Sequence, residues 1–286
     1  MIRVAMPNKG RLAEGARALL ENAGLEFEAR GERALQASLG GEMLALFVGA
    51  RDIPEFLADD AADIGITGRD LVEESGRPVV ELLDLAFGRC RLVVAARDDN
   101  SLTVDTLPPG ARVATVFPNL ARRFFAGRGK DVTIVPVSGA AEIAPHLGVA
   151  DVIVDLVSTG STLRVNGLVE VETIMESGAI LIARPGILDD ADARRRIDEL
   201  TTALESVIRA HDKRYLMANV PRASLAEVKR ILPGISGPTI VDILDGGAFV
   251  AAHAVVDRRD IYRTIAELRA IGAEGILVTR IERLMP

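Results

Sequence analysis

At 286 residues, with 49% apolar and 26% charged side chains, the chain is long and apolar enough for two or three compact units with their own cores, which excludes a disordered protein. A formal net charge of −7 argues against non-specific nucleic-acid binding and leaves anionic ligands to local basic residues, and no apolar run is long enough to cross a bilayer as a helix. The single cysteine, Cys90, rules out an internal disulfide framework, and the three histidines, His146, His211 and His253, lie scattered without metal-ligand spacing. Met1 to Pro7 reaches a proline too early for a signal peptide, so the expected location is cytoplasmic.

The chain opens with Ile2-Arg-Val-Ala-Met6, a buried strand, then the turn Pro7-Asn8-Lys9-Gly10-Arg11 and an amphipathic helix through Leu12, Ala16, Leu19 and Leu20. Lys9 and Arg11 stand at a helix start, where the macrodipole disfavours cations; a bound anion would account for both, and a solvated basic turn is the alternative. A hairpin-like segment from Ala34 to Val48 follows, then a helix near Ile53 to Ala58 and the strand Asp63-Ile-Gly-Ile66. The loop Thr67-Gly68-Arg69-Asp70 ends that strand and starts another helix. Leu82 to Ala96 passes from one apolar segment into the next and reads as one linker strand across a hinge. Cys90 within it is expected to be a small core residue, because no histidine is near it in sequence.

The second part of the chain repeats the first. Arg3-Val4-Ala5 with Pro7-Asn8 has a counterpart in Arg112-Val113-Ala114 with Pro118-Asn119, and Gly49-Ala50, Asp52-Ile53, Leu57 and Ala62-Asp63 have theirs in Gly139-Ala140, Glu142-Ile143, Leu147 and Ala150-Asp151. Two similar α/β lobes are implied. Alternating strands and helices favour mainly parallel sheets, with a ligand cleft between the lobes at the carboxyl ends of the strands.

The most informative stretch follows the counterpart strand. Asp151 to Leu156 is an apolar run rich in β-branched residues and containing two carboxylates, and Ser158-Thr159-Gly160-Ser161-Thr162 is a loop of hydroxyls around one glycine. Such a loop suits a phosphate: the glycine lets backbone N–H groups approach an anion, the hydroxyls donate, and a helix beginning near Leu163-Arg164 points its positive end at the same place. An ordinary turn has the same composition, so the loop alone does not decide. Asp155, at the strand's end, would stand beside a bound group.

Strands are expected at Leu168 to Met175 and Ala179 to Ala183, the latter returning to the first lobe. A charged amphipathic helix then runs from Asp189 to His211, with Arg194-Arg195-Arg196 on its solvated face. From Lys213 the expected order is strand (Tyr215 to Val220), helix (Leu225 to Ile231), strands (Thr239 to Leu244 and Val250 to Val256), helix (Ile261 to Ile271) and strand (Gly275 to Ile281). This βαββαβ order predicts a ferredoxin-like domain. Ser224 with Glu227, and Asp257 with Asp260, read as helix-capping pairs, and Gly272 as the close of the last helix. With no nucleophile, metal cluster or acid pair, the domain reads as regulatory or oligomerising.

The spacing Glu142, Gly148, Asp155, Thr159, Gly160, Thr162, Leu163 resembles the signature of the ATP phosphoribosyltransferase family, long form. Pro7 to Arg11, Asp63 to Gly68, Phe87 to Cys90, Tyr215 to Met217, Pro238 to Ile240 and Ile271 to Ala273 extend the resemblance over essentially the whole chain. It implies an α/β fold: a type II periplasmic-binding-protein-like catalytic part, with lobe I at 1–88 and 179–211 and lobe II at 89–178, and a ferredoxin-like regulatory domain at 212–286. It implies that adenine N1 of ATP displaces pyrophosphate from phosphoribosyl pyrophosphate, the first step of L-histidine biosynthesis. Ser158, Thr159, Gly160, Ser161 and Thr162 would hold the sugar's 5-phosphate, with Asp155, Glu142 and Asp151 toward the ribose. Lys9, Arg11 and Arg51 would neutralise phosphates, and Arg69 and Asp84 would help seat ATP. Mg²⁺ is the implied cofactor, held mainly by substrate phosphates. Feedback inhibition by histidine, with Thr239 and Gly275 as candidate contacts, and assembly from dimers to a hexamer are also implied. The rival is a non-catalytic two-lobed small-molecule binding protein, which shares the lobe architecture.

Overall fold

The structure is a computed structural model that describes residues 1–28, 31, 34–243 and 247–285. The first sheet is built from β1 (Ile2–Pro7), β2 (Phe27–Glu28), β3 (Gln36–Leu39), β4 (Met43–Val48), β5 (Ile64–Gly68) and β6 (Val80–Asp84), with α1 (Ala13–Asn22), α2 (Ile53–Ala58) and α3 (Arg69–Ser75) between them. The chain then crosses to β7 (Cys90–Arg97), β8 (Ala111–Thr115), α4 (Pro118–Gly127), β9 (Val132–Pro136), β10 (Val152–Val157), α5 (Ser161–Val165) and β11 (Leu168–Ser177), and returns with β12 (Ala179–Ala183). Strand order is β2-β3-β4-β1-β5-β12-β6 in the first sheet and β11-β7-β10-β8-β9 in the second. Two α/β lobes joined by two crossings form the type II binding-protein-like part expected from the sequence.

Parallel pairing is confined to β4-β1-β5 in one lobe and β9-β8-β10 in the other. Beyond these the sheets are antiparallel, which corrects the expectation of mainly parallel sheets. The reason is connectivity: β7 and β12 each arrive from the opposite lobe, so no helical return sets their direction. The single linker strand is corrected too. Ala86 (φ 60) and Gly88 (φ 63) are left-handed and break the chain between β6 and β7, and Asp84 Oδ1 accepts the Ala86 N–H at 2.9 Å. The two crossings run side by side. Cys90 pairs with Ser177, Leu85 N–H donates to Ala179 O at 3.0 Å, and Ala179 N–H donates to Phe87 O at 3.0 Å.

The repeat is visible in hydrogen bonds. Arg3 N–H donates to Asp63 Oδ2 (2.8 Å) and Asp63 N–H to Arg3 O (3.0 Å); in the second lobe Arg112 N–H donates to Asp151 Oδ2 (2.7 Å) and Asp151 N–H to Arg112 O (2.9 Å). Each aspartate thus locks the start of its strand to the neighbouring parallel strand. Packing follows the two-residue strand period. On β7, Leu92, Val94 and Ala96 join one apolar cluster with Phe125 of α4, while Val93 and Ala95 join another with Ala141, Ala144 and Leu163. A strand buried on both faces is the reason Leu92 to Ala96 is continuously apolar. The fully buried Phe125 anchors the first of these clusters, and truncating such a ring to alanine typically costs about 3–5 kcal/mol.

The long helix α6 (Ala191–His211) leads to β13 (Lys213–Pro221), α7 (Leu225–Ile231), β14 (Thr239–Asp242), β15 (Phe249–Asp257), α8 (Ile261–Ala270) and β16 (Glu274–Arg280). Their antiparallel sheet, ordered β14-β15-β13-β16, is the ferredoxin-like arrangement. The expected strand end at Leu244 lies outside the described residues. Contact density divides the chain into Met1–Thr201 and Thr202–Pro286, a break inside α6 and not after it. Leu284 N–H reaches back to Ser206 O (2.9 Å), which ties the end of this helix to the second unit. The capping pairs are not made: the helices beginning at Leu225 and Ile261 have no side-chain cap, and Ser224 Oγ faces Ile271 O at 3.5 Å. Gly272, at φ 86, does close α8.

Candidate functional site

The site is organised by the carboxyl end of β10. Val152 and Val154 face one core cluster, Ile153 and Val157 the other, and Asp155 interrupts this apolar pattern, half-buried near the strand's end. The chain then leaves the sheet through exposed Ser158 and Thr159, and Gly160 adopts φ 75, a left-handed conformation that favours glycine. α5 starts at once. Thr159 Oγ1 and Ser161 Oγ share a hydrogen bond at 2.9 Å, whereas the hydroxyls of Ser158 and Thr162 have no partner among the described residues. Gly160 at the cap position offers no side chain, and the Ser161 N–H makes a long bond to Thr159 Oγ1 (3.4 Å), which leaves the next N–H groups of the turn without a side-chain cap.

Glu142, brought close by a short turn of 3₁₀ helix (Ala141–Ile143), completes a hollow of about 160 Å³ with Asp155 and the segment from Leu156 to Leu163. Burial pushes the Asp155 carboxyl above its ordinary 3.8, the Leu156 N–H bonded to it pulls the other way, and the neighbouring Glu142 charge adds to the rise. The hollow lies below the roughly 300 Å³ of a drug-sized pocket and suits a phosphate group more than a whole nucleotide.

Glu142, Asp155 and Ser158 to Thr162 are therefore brought together. Asp151 is not: it sits at the other end of β10, in the Arg112 brace, with an ion pair at 3.6 Å. Lys9 is exposed and forms no ion pair among the described residues. Arg11 is fixed, its Nη1 on Gly88 O (2.6 Å) and its Nη2 on Asp70 Oδ1 (3.1 Å). Arg51 donates across the lobes to Val116 O (2.8 Å), with its guanidinium 5.7 Å from the centre of the Phe117 ring. Arg69 pairs with Glu81 (2.5 Å) and more loosely with Asp84 (3.5 Å). Burial acts to raise the Asp84 pKa, yet the Ala86 N–H and the Arg89 and Arg69 charges hold it below its ordinary value. In the second unit, Thr239 on β14 and Gly275 on β16 are both exposed, on opposite edges of the four-stranded sheet, so one chain does not bring them together.

Sequence reasoning missed three residues. Asp70 and Ser177 are buried beneath Arg11. Glu74, also buried, accepts the N–H groups of Asn119 (3.0 Å) and Leu120 (2.9 Å), so a first-lobe carboxylate caps the second lobe's α4. A signal existed: α4 has Pro118 in its first turn and Phe117 at its cap position, and a helix without its own cap needs a partner from elsewhere. Cys90 is buried as expected, and burial pushes its thiol up. His146, His211 and His253 contact Asn166 O, Asp212 and Tyr215 respectively, and no cluster of three or more metal-ligating side chains occurs among the described residues. No described helix is long and apolar enough to cross a membrane.

The family model for ATP phosphoribosyltransferase matches residues 49–206, and that for HisG, C-terminal domain, matches 210–283. An ATP phosphoribosyltransferase of Gemmatimonas aurantiaca is 62% identical over 292 residues, covering 100% of both chains, and that of Methanocaldococcus jannaschii is 42% identical over 288 residues with the same coverage. Among solved structures, an ATP phosphoribosyl transferase (HisG:HisZ) complex from Thermotoga maritima has a chain that aligns with a TM-score of 0.65 and 27% identity, covering 74% of this chain and 99% of that one. A non-catalytic binding protein is not favoured by such relatives. Full-length identity to transferases, matches to both family models and a phosphate-sized hollow at the signature residues together place the chain in the ATP phosphoribosyltransferase family, enzymes of histidine biosynthesis.

Proposed function

We propose that the chain joins ATP to phosphoribosyl pyrophosphate, with adenine N1 attacking ribose C1 as pyrophosphate leaves, and that it does so in the cytoplasm. The observation that carries this reading is the hollow at the end of β10, where a helix start and the unpartnered hydroxyls of Ser158 and Thr162 adjoin a half-buried carboxylate. The loop Ser158 to Thr162 would take the sugar's 5-phosphate, and Asp155, supported by Glu142, would face the ribose hydroxyls. A carboxylate there also balances the positive charge that develops at C1 in an oxocarbenium-like transition state. Adenine N1 is itself nucleophilic, so the residues need to align the partners, not to remove a proton first. Lys9 and Arg11 would meet phosphates, and Arg51, Arg69 and Asp84 would shape the ATP side through the contacts they already make.

Mg²⁺ fits this donor set. Glu142 and Asp155 offer hard oxygens without a complete protein cage, which suits an ion that keeps water and substrate phosphate as ligands. When bound, the ion would stabilise charge on the leaving pyrophosphate. A homo-oligomer inhibited by histidine completes the proposal, because Thr239 and Gly275, on opposite sheet edges, could share one ligand only across two copies.

The test is pyrophosphate release from ATP, phosphoribosyl pyrophosphate and Mg²⁺ by the purified chain. No release above background would return the binding protein to favour. For the regulatory part, Thr239→Ala should raise the histidine concentration that halves the rate, and an unmoved inhibition curve would remove Thr239 from that site.

A further inference from the structure

The charge of Arg11 is aimed by residues far from it in sequence. Its side chain is 34% exposed, while that of Asp70 beneath it is fully buried. Asp70 Oδ1 receives Arg11 Nη2 (3.1 Å) and the Ser177 hydroxyl (2.6 Å), and the Asp70 N–H returns to Ser177 Oγ at 3.0 Å. The other oxygen, Oδ2, is buried and accepts no hydrogen bond among the described residues. Asp63, before the other end of β5, is a contrast. Both of its oxygens are engaged, Oδ1 by Arg3 and Arg184, Oδ2 by the Arg3 side chain and N–H. A carboxylate that serves only to brace the fold is saturated in this way; one left half-satisfied in the dry interior carries a desolvation cost that bracing does not explain.

The space around the guanidinium is also kept clear. A Cβ on Gly68 would lie 2.4 Å from Asp70 Oδ1 and 3.4 Å from Arg11 Nη2, and one on Gly88 would lie 2.7 Å from Leu12 and 3.3 Å from Arg11 Nη1. Two glycines thus form the walls of a seat for Arg11. Ser177 is the last residue of β11 and pairs with Cys90, the first of β7, so the seat is fastened to the lobe crossings.

We infer that Asp70, held by Ser177, is a positioning residue that points the Arg11 guanidinium at the phosphates of the incoming nucleoside triphosphate. This rests on the reading above in which Arg11 meets phosphate. Removing the charge under Arg11 leaves the guanidinium fixed chiefly by Gly88 O, so that it is aimed less firmly, which weakens nucleotide binding more than it weakens the fold.

The test is steady-state kinetics on the full chain for Asp70→Asn, Ser177→Ala, Arg11→Ala and the Asp70→Asn/Arg11→Ala double variant, with thermal melting of each. The expected result is a rise of about tenfold in KM for ATP with Asp70→Asn, the worth of one charge-assisted contact, and a smaller rise with Ser177→Ala. The KM for phosphoribosyl pyrophosphate should stay within about twofold, and the double variant should be no worse than Arg11→Ala alone, since Asp70 acts through Arg11. If Arg11→Ala itself leaves the KM for ATP unmoved, the phosphate role of Arg11 falls and this inference with it. If Arg11→Ala is harmful while Asp70→Asn and Ser177→Ala are kinetically silent, add their losses independently, or only lower the melting temperature, the positioning role alone is overturned.

Discussion

At the amino ends of β5 and β10 the two lobes carry the same device, an aspartate that exchanges two backbone-linked hydrogen bonds with an arginine of the neighbouring parallel strand. At the carboxyl ends of the same strands both run through a Thr-Gly pair into a helix, but they treat their polar groups differently. The first lobe's loop places Thr67, Gly68 and Asp70 in the interior, with Thr67 Oγ1 on Ala50 O (2.7 Å) and Asp70 under Arg11. The second lobe's loop leaves Ser158, Thr159, Ser161 and Thr162 in solvent around a left-handed glycine. A duplicated frame has been kept where it holds strands together and altered where a ligand would sit. One loop turns its polar groups inward, with Asp70 Oδ2 left unbonded; the other leaves the Ser158 and Thr162 hydroxyls exposed and without a partner among the described residues.

Three measurements would break or sharpen that contrast. The largest effect is expected at the open loop: Asp155→Asn should cut turnover by about 10²–10³-fold, the usual cost of one preorganised electrostatic contact, while the melting temperature barely moves. Equal losses of rate and stability would make Asp155 a structural residue. The braces come next. Burial acts to raise the Asp63 pKa, but hydrogen bonds from the Arg3 side chain and backbone and from Arg184 outweigh it, bringing it from 3.8 to about 2. A carboxyl depressed in the folded state stabilises above its unfolded value, and that contribution, about 2 kcal/mol, is lost as the pH falls from about 4 to 2. Asp63→Asn should remove a similar amount in urea unfolding near neutral pH. Asp151, whose ion pair is more exposed, should cost under about 1 kcal/mol, and equal losses would erase the distinction between the two braces.

The smallest effect concerns pH. In the proposed role Asp155 acts as the anion, and burial with the Glu142 charge raises its pKa, so the acid limb of kcat/KM should lie above the ordinary 3.8 of an aspartate. Glu142→Gln removes one cause of the rise and should move that limb to lower pH. A limb that stays put would mean that another group controls it.

Much of this was legible in the chain. The strand, loop and helix order of both lobes, the βαββαβ tail and the hydroxyl loop are local patterns, and Gly160 and Gly272 do what their neighbours required. What escaped was set by distance along the chain. Glu74 and Asn119 are separated by 45 residues, and Asp70 and Ser177 by 107, so nothing beside either acid reveals its partner. Asp151, which the resemblance set beside Asp155 at the ribose, misled for another reason: a strand carries its two ends to different places. The linker strand failed at Ala86, since apolar composition says nothing about a backbone turned by Asp84 and Gly88.

Besides the paired crossings at Cys90 and Ser177, the lobes are bridged by the Glu74 carboxylate on the first turn of α4 and by Arg51, which donates to Val116 O. The crossings are continuous chain and stay joined in any arrangement of the lobes, whereas these bridges are side-chain hydrogen bonds that can be made and broken. Any parting of the lobes therefore leaves the crossings as the pivot and has to release these bridges, so they act as latches on a door already hung.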